Sequence, residues 1–542
     1  RLLDISSSFT MFLAAVLAAA LGVGLIGVVM EFVLLRRIYK VPELFQLLAT
    51  FGVVLAVQDL VLMAWGPLDI LGPRAPGLRH AVDIFGHRFP AYELFLIAMG
   101  PLVLALLFTG TLFLGAALAG FGGALQTPKL AANPHMDISV IAEAFVVTVV
   151  GGMGSVPGAF VAALLIAELQ AFGILIFPKI TLVLVFVLMA LVLVVRPWGL
   201  MGRPEAGQVR ARLPEGIVRL ERLSRAGTIA LLAVGLLLLA LPLLGDAYTI
   251  KLGIEVLSFA LAAFSLNFLI GVGGIVSFGH AAYFGLGAYA AGLLVTRLGV
   301  AMEPALMAAP VVAGLGAALF GFFVVRLSGI YLAMLTLAFA QIVYAVAFQW
   351  VELTGGDNGV VGVWPSRWAA GRASYYYLAL AVSASVIVLL RRGIYAPFGY
   401  TLRAARDSGP RADAVGIDVR THRWLAFTIA GAAAGLAGGL FAFAKGSIDP
   451  TLISIPMSID FLVMTLLGGV ETVAGPLVGA AAFHSIRDVL MPLTDHWRLL
   501  LGLAIIAIVL AMPRGIVGGA LILRARLGWE ASALQARPRV GP

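Results

Sequence analysis

Cysteine is missing from all 542 residues, which removes disulfides, thiol catalysis and thiolate metal centres from consideration. Charge is scarce as well: Asp, Glu, Lys and Arg make up 12% of the chain against 61% hydrophobic residues. A soluble chain of this size needs far more charge to cover its surface. Lysine is rarest, with five positions (Lys40, Lys129, Lys179, Lys251 and Lys445), and none lies in a Gly-x-x-x-x-Gly-Lys-Ser/Thr phosphate loop. That phosphate-binding device is therefore not built into these residues. What remains is apolar, with a mean hydropathy of +1.05. Runs such as Ile180–Val195, Thr228–Leu244 and Leu499–Met512 approach or reach the about 20 residues a bilayer-spanning helix needs. The expected fold is all-α, a polytopic integral membrane protein. The net charge of +9 comes almost wholly from Arg in short loops between apolar runs, a pattern of membrane topology rather than of nucleic-acid binding.

One multi-helix passage is written twice. The first copy carries Phe108-Thr109, an Ala-rich run ending at Gly120, Gly151-Gly152 with Gly158, and Pro197-Trp198-Gly199. The second carries Phe427-Thr428, a run ending at Gly438, Gly468-Gly469 with Gly475, and Pro513-Arg514-Gly515. The displacement drifts only from 319 residues (Phe108 to Phe427) to 316 (Pro197 to Pro513), so helix order and loop lengths repeat along with composition. Transporters commonly build a pathway between two such related halves.

Basic loops fix the orientation. The stretch from Gly202 to Ala226 carries six Arg and three Glu, and Arg391–Arg423 carries seven Arg and three Asp. With the first of these in the cytoplasm, spans near 227–244, 248–270, 275–296, 303–325, 329–350 and 374–390 return the chain inside at Arg391. Spans near 425–443, 458–469, 476–490 and 499–512 return it again at Arg514. Arg36-Arg37, Arg196 and Arg326 mark further loops on the same side. The two copies then share one orientation, related by an axis along the membrane normal. The expected organisation is a first half over 1–201, a basic cytoplasmic linker over 202–226, a second half over 227–523 and a cytoplasmic tail over 524–542.

The first copy reads as incomplete. Thr50 in Leu-Leu-Ala-Thr matches Thr336 in Ala-Met-Leu-Thr at a displacement of 286, so the first copy is shorter by 32 residues before the Gly120/Gly438 anchor. The second copy holds its Arg391–Arg423 loop in that interval, and Leu94–Leu125 runs without a charge. A cytoplasmic loop is expected to be lost there, by an incomplete chain or a natural deletion. No counterpart of Gly271–Leu294 precedes Thr50, and the chain opens at Arg1.

Several local sequences could carry chemistry. Gly271–Tyr289 concentrates glycine with Ser277, Gly279, His280 and Tyr283 at the start of a span, where glycines allow close backbone approach or a break. An intramembrane His is a functional candidate; the alternative is that His280 only fixes helix packing. No second metal-ligating side chain sits three or four residues away, so no metal is assigned there. Thr336 and Gln341 lie in the apolar span 330–348, and Gln58-Asp59 in its first-half counterpart; they either line a pathway or bond across helices. The outward segment Thr354–Gly359, with Asp357 and Asn358, is rich in turn formers at the mouth of any pathway. His80, Asp83 and His87 have spacing that suits a metal on a helix, but Pro76, Gly77 and Gly86 argue against a long one. The loop Tyr400–Asp418 is expected to form a short Ala-rich helix ended by Gly416, with nothing catalytic in it. It is either a solvated connector or a docking element.

At these residues the chain resembles the permeases of bacterial branched-chain amino acid ABC importers, a LivH-type half followed by a LivM-type half. Ser277-Phe278-Gly279-His280-Ala281 matches the Gly-rich Ser-x-Gly-His-Ala segment of LivM-type permeases. Asp413-Ala414-Val415-Gly416-Ile417-Asp418 matches their ATPase-docking loop, and Leu425–Gly439 is typical of the span that follows. The first half departs in lacking its opening Asn-x-Ala-His-Gly helix and its own docking loop. The resemblance implies a non-enzymatic permease in the bacterial inner membrane, with no cofactor of its own. Two ATP-binding cassette subunits would hold ATP and Mg, and an external substrate-binding protein would select the substrate. The candidates for a substrate pathway are Ser277, Gly279 and His280 in the matched segment, with Tyr283, Thr336, Gln341, Asp357 and Asn358 from the residues read above. Arg403, Arg406, Arg411, Ala412, Asp413, Ala414, Gly416 and Ile417 fall to ATPase docking. A repeat-type secondary transporter would instead need intramembrane carboxylates, for which Asp59, Glu143 and Glu255 are the candidates. A non-transporting membrane subunit is a further reading, and permeases for urea or short amides share the same sequence features.

Overall fold

The computed structural model describes residues 9–38, 43–68, 81–84, 87–91, 95, 111–127, 132, 136–176, 181–203, 225–470, 472–512 and 514–526. Almost all of this is helix. A bilayer offers the backbone no hydrogen-bond partners, so a spanning segment must satisfy its own. Ten helices among the described residues are long and apolar enough to cross a membrane, and five shorter apolar helices accompany them.

The first half contains α1 (Phe9–Met30), α2 (Glu43–Trp65), α3 (Thr111–Gln126), α4 (Met136–Gly151), α5 (Val156–Ile176) and α6 (Thr181–Val195). Arg36 and Arg37, expected in a loop, continue the first helix through a π-turn at Glu31–Leu35 to Ile38. Their long stems keep the charge at the helix end while the backbone stays bonded. The stretch holding Asp83 and His87 is an antiparallel hairpin, β1 (Ala81–Ile84) and β2 (His87–Pro90), with Asp83 opposite Arg88 and Ile84 opposite His87. The helix on which their spacing would bring them together is therefore not there, and His80 lies outside the described residues. So do 96–110, where a lost loop was expected, and most of the 202–226 linker.

The second half contains α7 (Arg225–Leu244), α8 (Ala247–Asn267), α9 (His280–Leu298), α10 (Met302–Val324), α11 (Gly329–Gln349) and α12 (Arg372–Tyr395). The short helices α13 (Pro397–Asp407) and α14 (Gly409–Ala414) follow. Then come α15 (Val419–Lys445), α16 (Ile455–Gly468), α17 (Gly475–Leu490), α18 (Trp497–Ala511) and α19 (Gly515–Arg526). Helix ends sort to two ends of the bundle as the basic-loop walk requires. At one end, Arg297 donates to the Glu352 carbonyl at 3.1 Å, Ser366 donates to Glu303 at 3.2 Å, and β3 (Val360–Val361) pairs with β4 (Ser447–Ile448). At the other, Arg406 reaches the Gly271 carbonyl and Arg423 donates to Ala405 O at 3.1 Å.

The halves pack reciprocally. By the sequence repeat, α2 corresponds to α11, α4 to α16 and α6 to α18. In the fold α2 packs on α18 and α16, while α11 packs on α6 and α4. Each half thus lays the same helix against the same two helices of the other, the pattern a two-fold relation between same-orientation copies requires. The glycines mark where backbones touch. A Cβ on Gly52 of α2 would lie 2.9 Å from Gly502 O of α18, and Gly502 in turn faces Gly52 O. Gly152 (φ +102°) and Gly199 (φ +80°) abut one another in the first half, and Gly469 (φ +115°) and Gly515 (φ +75°) do so in the second. Residues with a Cβ rarely adopt that backbone, so the repeated Gly-Gly and Pro-x-Gly signatures record one turn built twice.

Candidate transport pathway and docking surface

The Gly-rich segment is a break between two spans. After α8 the chain makes a π-turn, Phe268–Val272, and leaves the helix over 273–279 before α9 starts at His280. The span expected from 275 therefore begins five residues later. Gly274 takes φ +63°, and Gly279 presses against the Thr336 carbonyl of α11, where a Cβ would clash. Phe278 N donates to Thr336 Oγ1 at 3.0 Å, and that hydroxyl donates to Ala333 O at 2.6 Å. The structure thus brings Gly279 and Thr336 together.

Ser277 and His280 are fully buried. His280 Nε2 is 2.8 Å from Ser265 Oγ on α8, and Ser265 is also bonded to Ala262 O. Tyr283 lies edge-on to Phe427 at 5.5 Å and borders His280 at 6.0 Å. Ala281 N donates to Ser458 Oγ of α16 at 3.1 Å. Three buried side-chain atoms along the break, Asn267 Oδ1, Ser277 Oγ and His280 Nδ1, have no hydrogen-bond partner among the described residues. An unpaired buried polar atom costs about 1–3 kcal/mol, and these three lie on the non-helical stretch and at the two helix ends that flank it. Gln341 is buried on α11, whereas Asp357 and Asn358 are exposed in a 3₁₀ turn beyond the far end of that helix. The eight candidates therefore do not form one site. Ser277, Gly279, His280, Tyr283 and Thr336 cluster around the break, and the acidic turn stands apart.

The Tyr400–Asp418 loop is built differently from the single helix expected. Ser408 is extended (φ −158°), and the chain restarts as α14 with Pro410 in its first turn. Proline has no N–H and clashes with the preceding turn when placed in a helix interior, so one continuous helix is not available here. Gly416 takes φ +89° and closes α14, with Gly416 N bonded to Asp413 O and Ile417 N to Ala412 O, both at 3.0 Å. This is the double bond of a Schellman cap. Ala405, Ala412, Val419 and partly buried Ile417 pack together, making the element a unit with its own small core. Arg411, Asp413, Ala414, Val415 and Gly416 are exposed at its tip. Arg403 and Arg406 turn back instead. Arg403 donates to Ile394 O at 2.6 Å and Arg406 to Gly271 O.

Two of the three carboxylate candidates are committed to structure. Asp59, 1% exposed, accepts a 2.6 Å hydrogen bond from Leu499 N. Glu255 takes Arg487 at 2.7 Å and lies 3.5 Å from His484 Nε2. Glu143 is exposed on α4. A fourth carboxylate, Asp460, lies on α16. It stands at the displacement of 317 from Glu143 that also relates Gly151 to Gly468. That shared register was the signal that could have found it.

Two related multi-helix halves, the second broken between α8 and α9 and carrying the capped α13–α14 element at one end, make a polytopic helical membrane protein. The chain belongs to the branched-chain amino acid transport system / permease component family, which it matches over residues 107–193 and 249–522. It is 26% identical over 314 residues to the high-affinity branched-chain amino acid transport system permease protein LivM of Escherichia coli, covering 53% of this chain and 74% of that one. It is 39% identical over 101 residues to the permease protein BraD of Pseudomonas aeruginosa, and 35% identical over 105 residues to a probable LivH of Methanocaldococcus jannaschii. Those two matches cover 18% of this chain and 33% of each relative. No solved structure matches the chain.

Proposed function

We propose that this chain is the permease of an ATP-driven importer that carries branched-chain or other small apolar amino acids into the bacterial cytoplasm across the inner membrane. The observation that carries this reading is the similarity to LivM over 74% of that protein's length. The docking-type element is consistent with it. Two ATP-binding cassette subunits supply ATP hydrolysis with Mg, and an external binding protein delivers the substrate. ATPase closure pushes on the Arg411–Gly416 tip, and the two halves tilt about their common axis to open the pathway to alternate sides. The apolar substrate needs few charged groups on its way, because the binding protein selects it first.

A secondary transporter would use intramembrane carboxylates for ion coupling. Asp59 and Glu255 are occupied as a helix cap and an ion pair, which leaves Glu143 and Asp460 as the carboxylates such a mechanism would have to use. The substrate class is tested by uptake into cells expressing the chain with its partner ATPases and binding protein. Labelled leucine, isoleucine or valine should accumulate, with urea and acetamide failing to compete. Accumulation of urea or acetamide in preference to leucine would overturn the substrate assignment.

A further inference from the structure

Resting on the importer reading for its consequence though not for its geometry, we propose that Arg406 is a positioning residue. It couples the docking element to the interrupted helix between α8 and α9.

Arg406 sits in the last turn of α13. Its Nη1 donates to the carbonyl of Gly271, inside the π-turn that ends α8, and its Nε is held by Asp407 Oδ1 at 3.1 Å. Its methylene stem lies against Gly274, where a Cβ would come within 2.5 Å of Arg406 Cγ. Glycine at 274 therefore serves two ends, the left-handed turn and room for the arginine. The Gly271 carbonyl is available because the break removes the helical N–H that would otherwise take it. An arginine is suited to this contact, since its charge-assisted bond to a carbonyl is stronger than a neutral one.

The segment it holds has few other anchors. Among the described residues, the tertiary hydrogen bonds recorded for 271–279 are this one and Phe278 N to Thr336 Oγ1. One anchor leads to the docking element and the other to α11, the helix that crosses onto the first half. The docking element is rigid enough to transmit motion. It has its own core, a Schellman cap, and ties to α12 through Arg403 and to α15 through Arg423. A displacement at its tip is thus delivered through Arg406 to Gly271, and by the 271–279 stretch to the Ser277–His280 cluster. Hinges are short terminal segments of this kind, which absorb backbone change between rigid parts.

Two measurements test this on the whole chain. Hydrogen exchange of the purified chain in detergent, without partners, should show amides of Val272–Phe278 exchanging several-fold faster in Arg406→Ala, with Arg406→Lys intermediate. Unchanged exchange would mean that the contact does not hold the segment, and would overturn the proposal. In proteoliposomes with the ATPases and binding protein, Arg406→Ala should lower leucine imported per ATP hydrolysed at least ten-fold while ATPase affinity stays unchanged. An unaltered transport-to-hydrolysis ratio, or loss of ATPase binding itself, would overturn the coupling role. A native chain that imports nothing, yet shows the exchange effect, would count against the importer reading and leave the Arg406 contact standing.

Discussion

The carboxylate of Asp59, in α2 of the first half, accepts a 2.6 Å hydrogen bond from the backbone N–H of Leu499 in the first turn of α18. The two residues are 440 apart in sequence, and the bond satisfies one of the four amide groups a helix leaves unpaired at its start. A negative group there also complements the helix dipole. One side chain thereby ties the halves together where α2 crosses α18. Replacing Asp59 with Leu should destabilise the chain by about 1–3 kcal/mol, the cost of a buried amide left unpaired, read as a lower Tm in detergent. Asp59→Asn, which can still accept the bond, should recover much of the Tm and sustain leucine uptake. A stable Asp59→Asn chain that cannot transport would instead assign Asp59 an ion-coupling role.

The paired glycine turns should be intolerant in both halves. Gly152→Ala and Gly469→Ala each force a Cβ onto a left-handed backbone that already touches another chain segment, so both variants should be recovered poorly or with lowered Tm. Gly235→Ala is the control, since nothing lies within 4 Å of its Cβ position in α7; there alanine should be neutral or add about 1 kcal/mol through helix propensity. Fluorescence-detected size-exclusion chromatography with a temperature ramp would read all three.

Gly416 predicts a separation of activities. A β-branched residue at φ +89° is penalised by roughly 1–2 kcal/mol and tilts the tip of α14 without touching a span. Gly416→Val should leave folding and membrane insertion intact and reduce ATPase binding or uptake per ATP. Gly416→Asn, which tolerates this backbone better, should retain more of both. Equal activity of the native and Val forms would remove the tip from the docking contact.

Acid should weaken the fold at Asp449, just beyond the end of α15. Burial raises its pKa, but hydrogen bonds from Lys445 and Thr451 outweigh this and hold the carboxyl below its ordinary value. A depressed folded pKa stabilises the fold above the unfolded value, and that contribution is lost as pH falls through the folded one. Thermal stability should therefore show no Asp449 effect between about pH 7 and 5 and decline below about pH 4. In Asp449→Ala that acid-dependent portion should be smaller.

The repeat was legible in the sequence because its anchors are glycines that no other residue can replace. Gly152 and Gly469, or Gly199 and Gly515, are kept by backbone conformation and contact, which sequence spacing reports directly. The order and ends of the spans in the second half were legible for a similar reason, since their apolar runs stop at Arg, Gly or Pro. Partners across helices were not. In lipid, apolar residues face outward as readily as inward, so hydropathy says nothing of which face of α8 meets His280 or which end of α2 reaches Leu499. The split between α13 and α14 was written in Gly409-Pro410 but lay within an otherwise helix-favouring stretch. The inward turn of Arg406 depends on a carbonyl freed 135 residues earlier, which no local pattern reveals.

In the proposed importer, ATP hydrolysed on partner subunits drives amino acid import through this chain. Proteoliposomes containing the purified chain and its ATPases, with the binding protein and labelled leucine outside and ATP with Mg inside, measure it directly. Accumulation that requires ATP and the binding protein, and that persists when proton and sodium gradients are collapsed, is the predicted result. Leucine entry that follows an imposed proton or sodium gradient and ignores ATP would contradict it.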